Sequence, residues 1–242
     1  MILLVEDNIR FYSSVLPNLY NYILAQSKRF STEALNPHAA AQRKRGRPKV
    51  VLATNYEEAM QVYERYHDNV LGVISDTRFP MKAVVGRLSH VEEGDAEAGL
   101  KLLRKIRECD EYVPLILQSS EVENRQKAWD SGFDFLDKNS KKFNVDLRHL
   151  LEEHMGFGDF IFRDPETKEE VMRVSSLKEL QDNIFKIPHD SLMHHIRRNH
   201  MSRWLCARAI FPVSNFLKHV TWHKLQDVDA HRQIIFDAIV QY

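Results

Sequence analysis

Five short apolar segments, each followed by a stretch with helical periodicity, constrain the fold of this chain more than any other feature. Four of the five are continuous apolar runs, which are typical of strands buried on both faces of a parallel sheet. Alternation of strand and helix predicts right-handed crossovers, and therefore an α/β fold with a doubly wound, five-stranded parallel sheet. The predicted strands are residues 2–5, 50–53, 70–74, 115–118 and 133–136, and the predicted helices are 11–24, 59–66, 98–106, 122–131 and 145–155.

The pattern changes after residue 155. Gly156 and Gly158 interrupt the preceding helix, and alternating apolar residues on either side of a turn at Asp164-Pro165 predict a short hairpin. Helical patterns follow near 191–200, 201–210, 213–219 and 228–242. We therefore expect two domains, an α/β domain over residues 1–155 and a smaller, mostly helical domain over residues 156–242.

Two connections in the first domain exceed the 2 to 6 residues that are usual in α/β units. One covers residues 27–49 and carries a basic run, and the other covers residues 77–95 and contains Glu92, Glu93 and Asp95.

Composition excludes several classes of function. The 34 basic residues balance the 34 acidic ones, so no whole-molecule field favours nucleic acid or a membrane surface. No apolar run approaches the roughly 20 residues that span a bilayer. The two cysteines, Cys109 and Cys206, form neither a disulfide framework nor a zinc-finger spacing. A reducing, cytoplasmic location is the expectation.

Acidic residues follow two of the predicted strands. Glu6 and Asp7 come directly after the first strand and Asp76 after the third. In a sheet of order 2-1-3-4-5 these strands are neighbours, so three carboxylates meet at one edge. Carboxylates held together repel, and a hard divalent ion such as Mg²⁺ relieves that repulsion. Ser119 and Lys138 end the fourth and fifth strands at the same edge, where they add groups suited to a phosphoryl oxygen.

Residues 1 to about 155 resemble a response-regulator receiver domain, the phospho-acceptor domain of two-component signalling. The resemblance implies a flavodoxin-like sheet. It rests on four segments, each at the end of a different strand. They are Leu-Leu-Val-Glu-Asp-Asn at 3–8, Ile-Ser-Asp-Thr-Arg-Phe-Pro at 74–80, Val-Pro-Leu-Ile-Leu-Gln-Ser-Ser at 113–120 and Phe-Leu-Asp-Lys at 135–138. The chain departs from the family at Asn139, where these domains usually have proline, and at Gly132, one residue closer to its strand than usual.

The resemblance also implies roles for individual residues. Asp76 would be the phospho-accepting nucleophile, with Lys138 as counter-ion of the phosphoryl group. Ser119 would follow that group, and Phe135 would be the aromatic switch residue. The ligands of Mg²⁺ would be Glu6, Asp7, Asp76 and the main-chain carbonyl of Arg78. The implied donor is a histidine kinase or a small phosphodonor, and no catalysis is expected beyond self-phosphorylation and dephosphorylation at Asp76.

A second resemblance covers the whole chain. Segments 157–163, 187–192 and 198–205 are similar to the region that joins an N-terminal receiver to the catalytic part of certain bacterial phosphoenolpyruvate synthase-like proteins. It implies that the chain is a regulatory fragment with a downstream catalytic domain or protein partner. A homodimer stays open.

Three alternatives remain at this stage. A degenerate receiver would act only as a protein-interaction module. A DNA-binding transcriptional regulator is disfavoured because residues 157–242 show no helix-turn-helix spacing and no strongly basic recognition helix. A phosphohydrolase of the haloacid dehalogenase type needs an acid two residues after its nucleophile, where this chain has Arg78.

Two further motifs favour ordinary structural interpretations. The segment Arg-Gly-Arg-Pro-Lys at 45–49 resembles the core of an AT-hook, but a solvated basic loop is favoured in a neutral chain. His194 and His195 point about 100° apart on a helix and lack a complete ligand set, so packed histidines are favoured over a metal site.

Overall fold

A computed structural model describes residues 1–34, 37–83, 94–224 and 227–242. The chain divides into two compact units. The first unit comprises residues 1–25 and 48–150, and the second unit comprises residues 26–47 and 151–242. The domain limits that the sequence predicts, 1–155 and 156–242, stay a prediction, and the compact units differ from them chiefly by assigning residues 26–47 to the second unit.

The first unit contains a five-stranded parallel sheet with the order 2-1-3-4-5, as the sequence predicts. Its strands are β1 (Ile2–Val5), β2 (Val50–Ala53), β3 (Gly72–Asp76), β4 (Leu115–Ser119) and β5 (Asp134–Asp137). The first two strands have the predicted limits. The predicted limits were wrong at the other three strands, because β3 begins at Gly72 and includes Asp76, β4 ends one residue later at Ser119, and β5 lies one residue later than expected.

Helices cover both faces of this sheet, which is why β1 and β2 are apolar throughout and β3 and β4 are apolar except near their ends. Leu3 and Val5 belong to one core cluster with α3 and α4, while Ile2 and Leu4 point to the other face and are equally buried. The helices that begin or lie in this unit are α1 (Ile9–Thr32), α3 (Tyr56–Tyr66), α4 (Ala98–Cys109), α5 (Asn124–Asp130) and α6 (Phe143–His154), and α2 (Pro37–Arg45) precedes β2.

The predicted long connection at 27–49 is largely helical. Helix α1 continues to Thr32, eight residues beyond its predicted end at Leu24, and α2 follows. The chain passes from one unit to the other within α1, because its residues from Gln26 onward belong to the second unit. Of the other long connection, residues 84–93, which include Glu92 and Glu93, lie outside the described residues.

Besides the end of α1 and helix α2, the second unit contains the predicted hairpin and a series of helices. Its antiparallel strands are β6 (Phe160–Arg163) and β7 (Glu170–Val174), and its helices are α7 (Leu177–Asn183), α8 (His189–Arg197), α9 (His200–Ala207), α10 (Phe211–His219) and α11 (Val228–Val240). Short 3₁₀ turns occur at His67–Asn69, Ile184–Lys186 and Trp222–Lys224. One apolar core joins the hairpin to the helices, so the unit has its own centre.

A buried arginine organises the start of the second unit. The guanidinium of Arg208 lies 3.9 Å from the ring centroid of Trp204 and 4.2 Å from that of Phe30. It also donates 2.7 Å hydrogen bonds to the carbonyl oxygens of Gly156 and Gly158. Burial lowers the pKa of Arg208 to about 9. The helix break predicted at Gly156 is present, and that residue has φ of 81°.

Within the described residues, no helix is both long enough and apolar enough to cross a bilayer.

Candidate functional site

Four strands of the first unit place polar side chains at one edge of its sheet. Glu6 follows β1, Asp76 and Ser119 are the last residues of β3 and β4, and Lys138 follows β5. Parallel strands end at the same edge, so these residues converge although they are far apart in sequence. One carboxylate oxygen from each of Glu6, Asp7 and Asp76 lies within 4.8 Å of the other two.

Lys138 lies against two carboxylates of this acidic cluster. Its Nζ is 2.7 Å from Glu6 Oε2 and 2.8 Å from Asp76 Oδ2, and its side chain is only 10% exposed. The backbone N–H of Lys138 donates to the carbonyl of Ser119 at 2.9 Å, which fixes its main chain against the end of β4. The ammonium therefore bridges two carboxylates in a place that excludes most water.

Glu6 is the most buried member of the cluster. Its Oε2 accepts hydrogen bonds from Lys138 Nζ and from Gln118 Nε2 at 2.9 Å, and its Oε1 accepts from the N–H of Asn8 at 3.1 Å. Burial, reinforced by the charge of Asp76 and opposed by Lys138, raises the pKa of Glu6 to about 7. Loss of hydration and the same neighbouring charge also raise the pKa of Asp7.

Asp76 and Ser119 are linked through Thr77. The backbone N–H of Thr77 donates to Asp76 Oδ1 at 2.7 Å, and the hydroxyls of Thr77 and Ser119 lie 3.3 Å apart. Ser119 Oγ also accepts from Asn124 Nδ2 at 3.1 Å and from the N–H of Glu121 at 3.1 Å. One oxygen of Asp76 is thus held by a backbone donor and the other by an ammonium.

Several of these contacting residues carry no role predicted from the sequence. Thr77, Gln118 and Asn124 are buried and bond directly to the carboxylates or to Ser119. Gln118 carried a usable signal, since a polar residue inside a buried apolar run needs a hydrogen-bond partner. Asn124 and Thr77 carried none, because their side chains are of types common in turns.

The roles predicted for Phe135 and Arg78 stay predictions. Phe135 is half-buried on β5 against the core, and the Arg125 guanidinium lies 5.3 Å from its ring centroid. Arg78 is exposed, and the assignment of its main-chain carbonyl as a ligand stays a prediction. The peptide bond before Asn139 is trans.

The three carboxylates are suited to hold a magnesium ion. Mg²⁺ prefers oxygen ligands at about 2.1 Å in an octahedron, which sets neighbouring oxygens about 3 Å apart and opposite ones about 4.2 Å apart. The 4.8 Å spread of oxygens from Glu6, Asp7 and Asp76 is close to that geometry. Waters between the ion and a carboxylate would take up the difference, as is common for Mg²⁺.

In the second unit, the rings of His194, His195 and His200 pack against one another. His195 Nε2 accepts the N–H of Arg163 at 3.1 Å, so its Nδ1 carries the proton and faces Nδ1 of His200 at 3.0 Å. Burial lowers the pKa of His195 to about 4. These contacts agree with the favoured interpretation of packed histidines.

The basic segment at 45–49 is also partly packed. Arg45 ends α2, and a Cβ placed on Gly46 would lie 2.6 Å from the Phe211 ring and 2.8 Å from Ala209 Cβ. A glycine in such close contact belongs to a folded turn. This arrangement agrees with the basic-loop interpretation rather than with a free peptide of the AT-hook type.

A pH dependence follows from the raised pKa of Glu6. Folded protein keeps the Glu6 proton up to about pH 7, whereas an unfolded chain loses it near 4.5. The folded state therefore binds more protons between these values, and the contribution of Glu6 to stability falls as pH rises, by an amount on the order of 3 kcal/mol. In metal-free buffer we expect urea titrations to show wild type losing stability relative to Glu6→Gln from pH 4.5 to 7. A difference that stays constant with pH would contradict this expectation.

Comparisons with known proteins add little to this geometry. No family model matches the chain, and no curated protein does. A solved response regulator receiver domain protein from Clostridium thermocellum is similar at 16% identity and a TM-score of 0.39, over 62% of this chain and 89% of that one. Sheet order and helices on both faces define the class: a doubly wound, flavodoxin-like α/β fold with an additional helical region.

Proposed function

We propose that the first unit is the phospho-acceptor module of a two-component response regulator, with Asp76 as the accepting residue. The observation that carries this proposal is the position of the Lys138 ammonium, within 3 Å of both Glu6 and Asp76 at the rim of a three-carboxylate cluster. A carboxylate held beside a cation and a candidate metal site is suited to attack phosphorus, because both neutralise charge on the transferred oxygens.

In the proposed reaction an Asp76 oxygen attacks the phosphorus of a phosphohistidine or a small acyl phosphate in line with the leaving group. The bond from phosphorus to the donor breaks, and an acyl phosphate forms on Asp76. Thr77 holds Oδ1 through its N–H, and Lys138 holds Oδ2. Glu6, Asp7, Asp76 and the carbonyl of Arg78 would hold Mg²⁺, which supplies further neutralisation of phosphoryl charge.

Ser119 and Phe135 would report the phosphorylated state. Ser119 Oγ lies beside Thr77 and can donate to a phosphoryl oxygen by rotation of one side-chain bond. Movement of Ser119 would then free space for Phe135. The Ser119 and Phe135 side chains would thus have two arrangements, and phosphorylation of Asp76 would favour one of them. This conformational change would be relayed to the second unit.

The partners follow from the chemistry of the site and from the second resemblance. The donor would be a histidine kinase or a small phosphodonor in the cytoplasm. The regulated partner would be a phosphoenolpyruvate synthase-like enzyme or its catalytic domain, which rests on the segments at 157–163, 187–192 and 198–205 alone.

The proposal is tested by intact-mass spectrometry of the 242-residue chain after incubation with acetyl phosphate and Mg²⁺. Wild type is expected to gain the mass of one phosphoryl group, and to gain none when a chelator replaces Mg²⁺. Asp76→Asn removes the nucleophilic oxygen while keeping the shape of the side chain, so it should gain none.

Asp130→Asn is the matched control for this experiment. Asp130 is an exposed carboxylate at the end of α5 that accepts from Gln126, and its substitution should leave phosphorylation unchanged. Absence of a mass gain in wild type would instead favour an interaction module that is not phosphorylated. A gain that survives Asp76→Asn would place the acceptor elsewhere.

A further inference from the structure

The third side of the Lys138 ammonium is closed by an aromatic ring. Its Nζ lies 4.3 Å from the centroid of the Phe11 ring, in addition to its contacts with Glu6 and Asp76. A lysine ammonium has three N–H donors, and two of them are satisfied by carboxylate oxygens. The remaining side faces a π system, whose negative face attracts a cation without accepting as strongly as water or an anion.

Phe11 is itself held from two directions. It is the third residue of α1, and that helix is capped by Asn8, whose Oδ1 accepts the N–H of Arg10 at 3.0 Å. The Phe11 ring meets the ring of Phe143, the first residue of α6, edge to face with centroids 5.5 Å apart and planes at 86°. The position of the ring is therefore set by two helix starts rather than by Lys138.

We propose that Phe11 is a positioning residue for Lys138 in the phosphoryl transfer proposed above. The ring closes the third side of the ammonium to water and holds Nζ against Asp76, where the transferred oxygens arrive. A cation–π contact is weaker than a hydrogen bond to a charged oxygen. The Lys138 ammonium can therefore leave the Glu6 carboxylate and bind a phosphoryl oxygen instead. Without the ring, water competes for the ammonium and Nζ is less well placed.

The inference is tested with Phe11→Leu, which keeps an apolar side chain but removes the π face. Because cation–π contacts contribute roughly 0.5 to 2 kcal/mol, the maximal rate of phosphorylation by acetyl phosphate should fall about 2- to 30-fold. The half-saturating concentration of acetyl phosphate should stay the same, since a residue that acts only through Lys138 adds no contact to the donor. Phe11→Tyr keeps the π face and should retain the wild-type rate.

Tyr12→Leu is the matched control, because its side chain points about 100° away from Phe11 on α1. It should leave the rate within twofold of wild type. A thermal melt of each variant establishes that it is folded. Equal maximal rates for folded Phe11→Leu and wild type would overturn the inference.

A second measurement separates this inference from the proposed function, on which its kinetic arm rests. In the NMR spectrum of the unphosphorylated protein, the Lys138 side-chain methylene protons next to Nζ should be shifted upfield by the Phe11 ring current. Phe11→Leu should abolish that shift, and Lys138→Met should remove the signal and so assign it. If wild type shows the shift but does not accept phosphate, the proposed function is wrong and the contact between Phe11 and Lys138 stands. If the upfield shift is absent in wild type, the positioning role of Phe11 is wrong.

Discussion

Lys138→Met is expected to slow phosphorylation of Asp76 by acetyl phosphate at least about 100-fold, the usual cost of removing a preorganised charged donor from a reaction centre. Methionine has a similar length and no charge, so the Nζ contacts to Glu6 and Asp76 disappear with little change in packing. Two adjacent carboxylates then lose the ammonium between them. The charge of Lys138 now lowers the pKa of Glu6, so that pKa should rise further in the variant.

Measuring Mg²⁺ binding distinguishes a role of Lys138 in phosphoryl transfer from a role in metal binding. Lys138 is a cation among the same carboxylates that would hold the ion, so its removal should leave the affinity for Mg²⁺ unchanged or higher in calorimetric titrations. Slower transfer with intact metal binding identifies Lys138 as a group acting on the phosphoryl oxygens. Lys141→Met, at an exposed residue nearby, serves as the control. Phosphorylation of Lys138→Met within threefold of wild type would contradict the proposed role.

The sequence predicts the sheet well where strands are apolar and less well where they reach the site. β1 and β2 have the predicted limits, because every residue in them is apolar. β3 was predicted at 70–74, yet it begins at Gly72 and ends at Asp76, whose partner in β4 is Gln118. Polar residues that are paired and buried at a strand end look like turn residues when only hydrophobicity is considered.

The length of α1 shows a second limit, which concerns contacts distant in sequence. Local periodicity supports a helix only to Leu24, but Phe30 is buried and stacks on Arg208 in the second unit. Arg208 lies more than 170 positions from Phe30, so no local pattern could indicate this contact. Tertiary burial decides helix length in such cases.

The candidate site, like the fold, is predicted by the sequence only in part. The sequence indicates which carboxylates, hydroxyl and lysine share an edge, because the order of parallel strands determines that much. It does not indicate which atoms touch. The bond from Gln118 to Glu6 and the stacking of Lys138 on Phe11 depend on side-chain rotamers and on the start of α1.

Gly99→Ala is expected to lower the free energy of unfolding of the first unit by about 3 kcal/mol, the upper end of the usual cost of overpacking. Gly99 is the second residue of α4, and its N–H donates to the carbonyl of Thr77 at 3.0 Å. A Cβ built there would lie 1.9 Å from the carbonyl oxygen of Asp76 and 3.0 Å from Thr77 Cα. Backbone atoms cannot turn aside as a flexible side chain does, so α4 or the end of β3 must move.

Hydrogen exchange followed by mass spectrometry measures this effect within the first unit, through peptides that cover β3 and β4. Gly132→Ala is the control, since nothing lies within 4 Å of its added Cβ, and its φ of 71° costs about 1 to 2 kcal/mol. The rate of phosphorylation of Asp76 should also differ between the two variants. Movement at Thr77 displaces the N–H that holds Asp76 Oδ1, so Gly99→Ala should slow the reaction while Gly132→Ala should not. Equal exchange and equal rates in both variants would mean that the close approach of α4 to Asp76 does not position the acceptor.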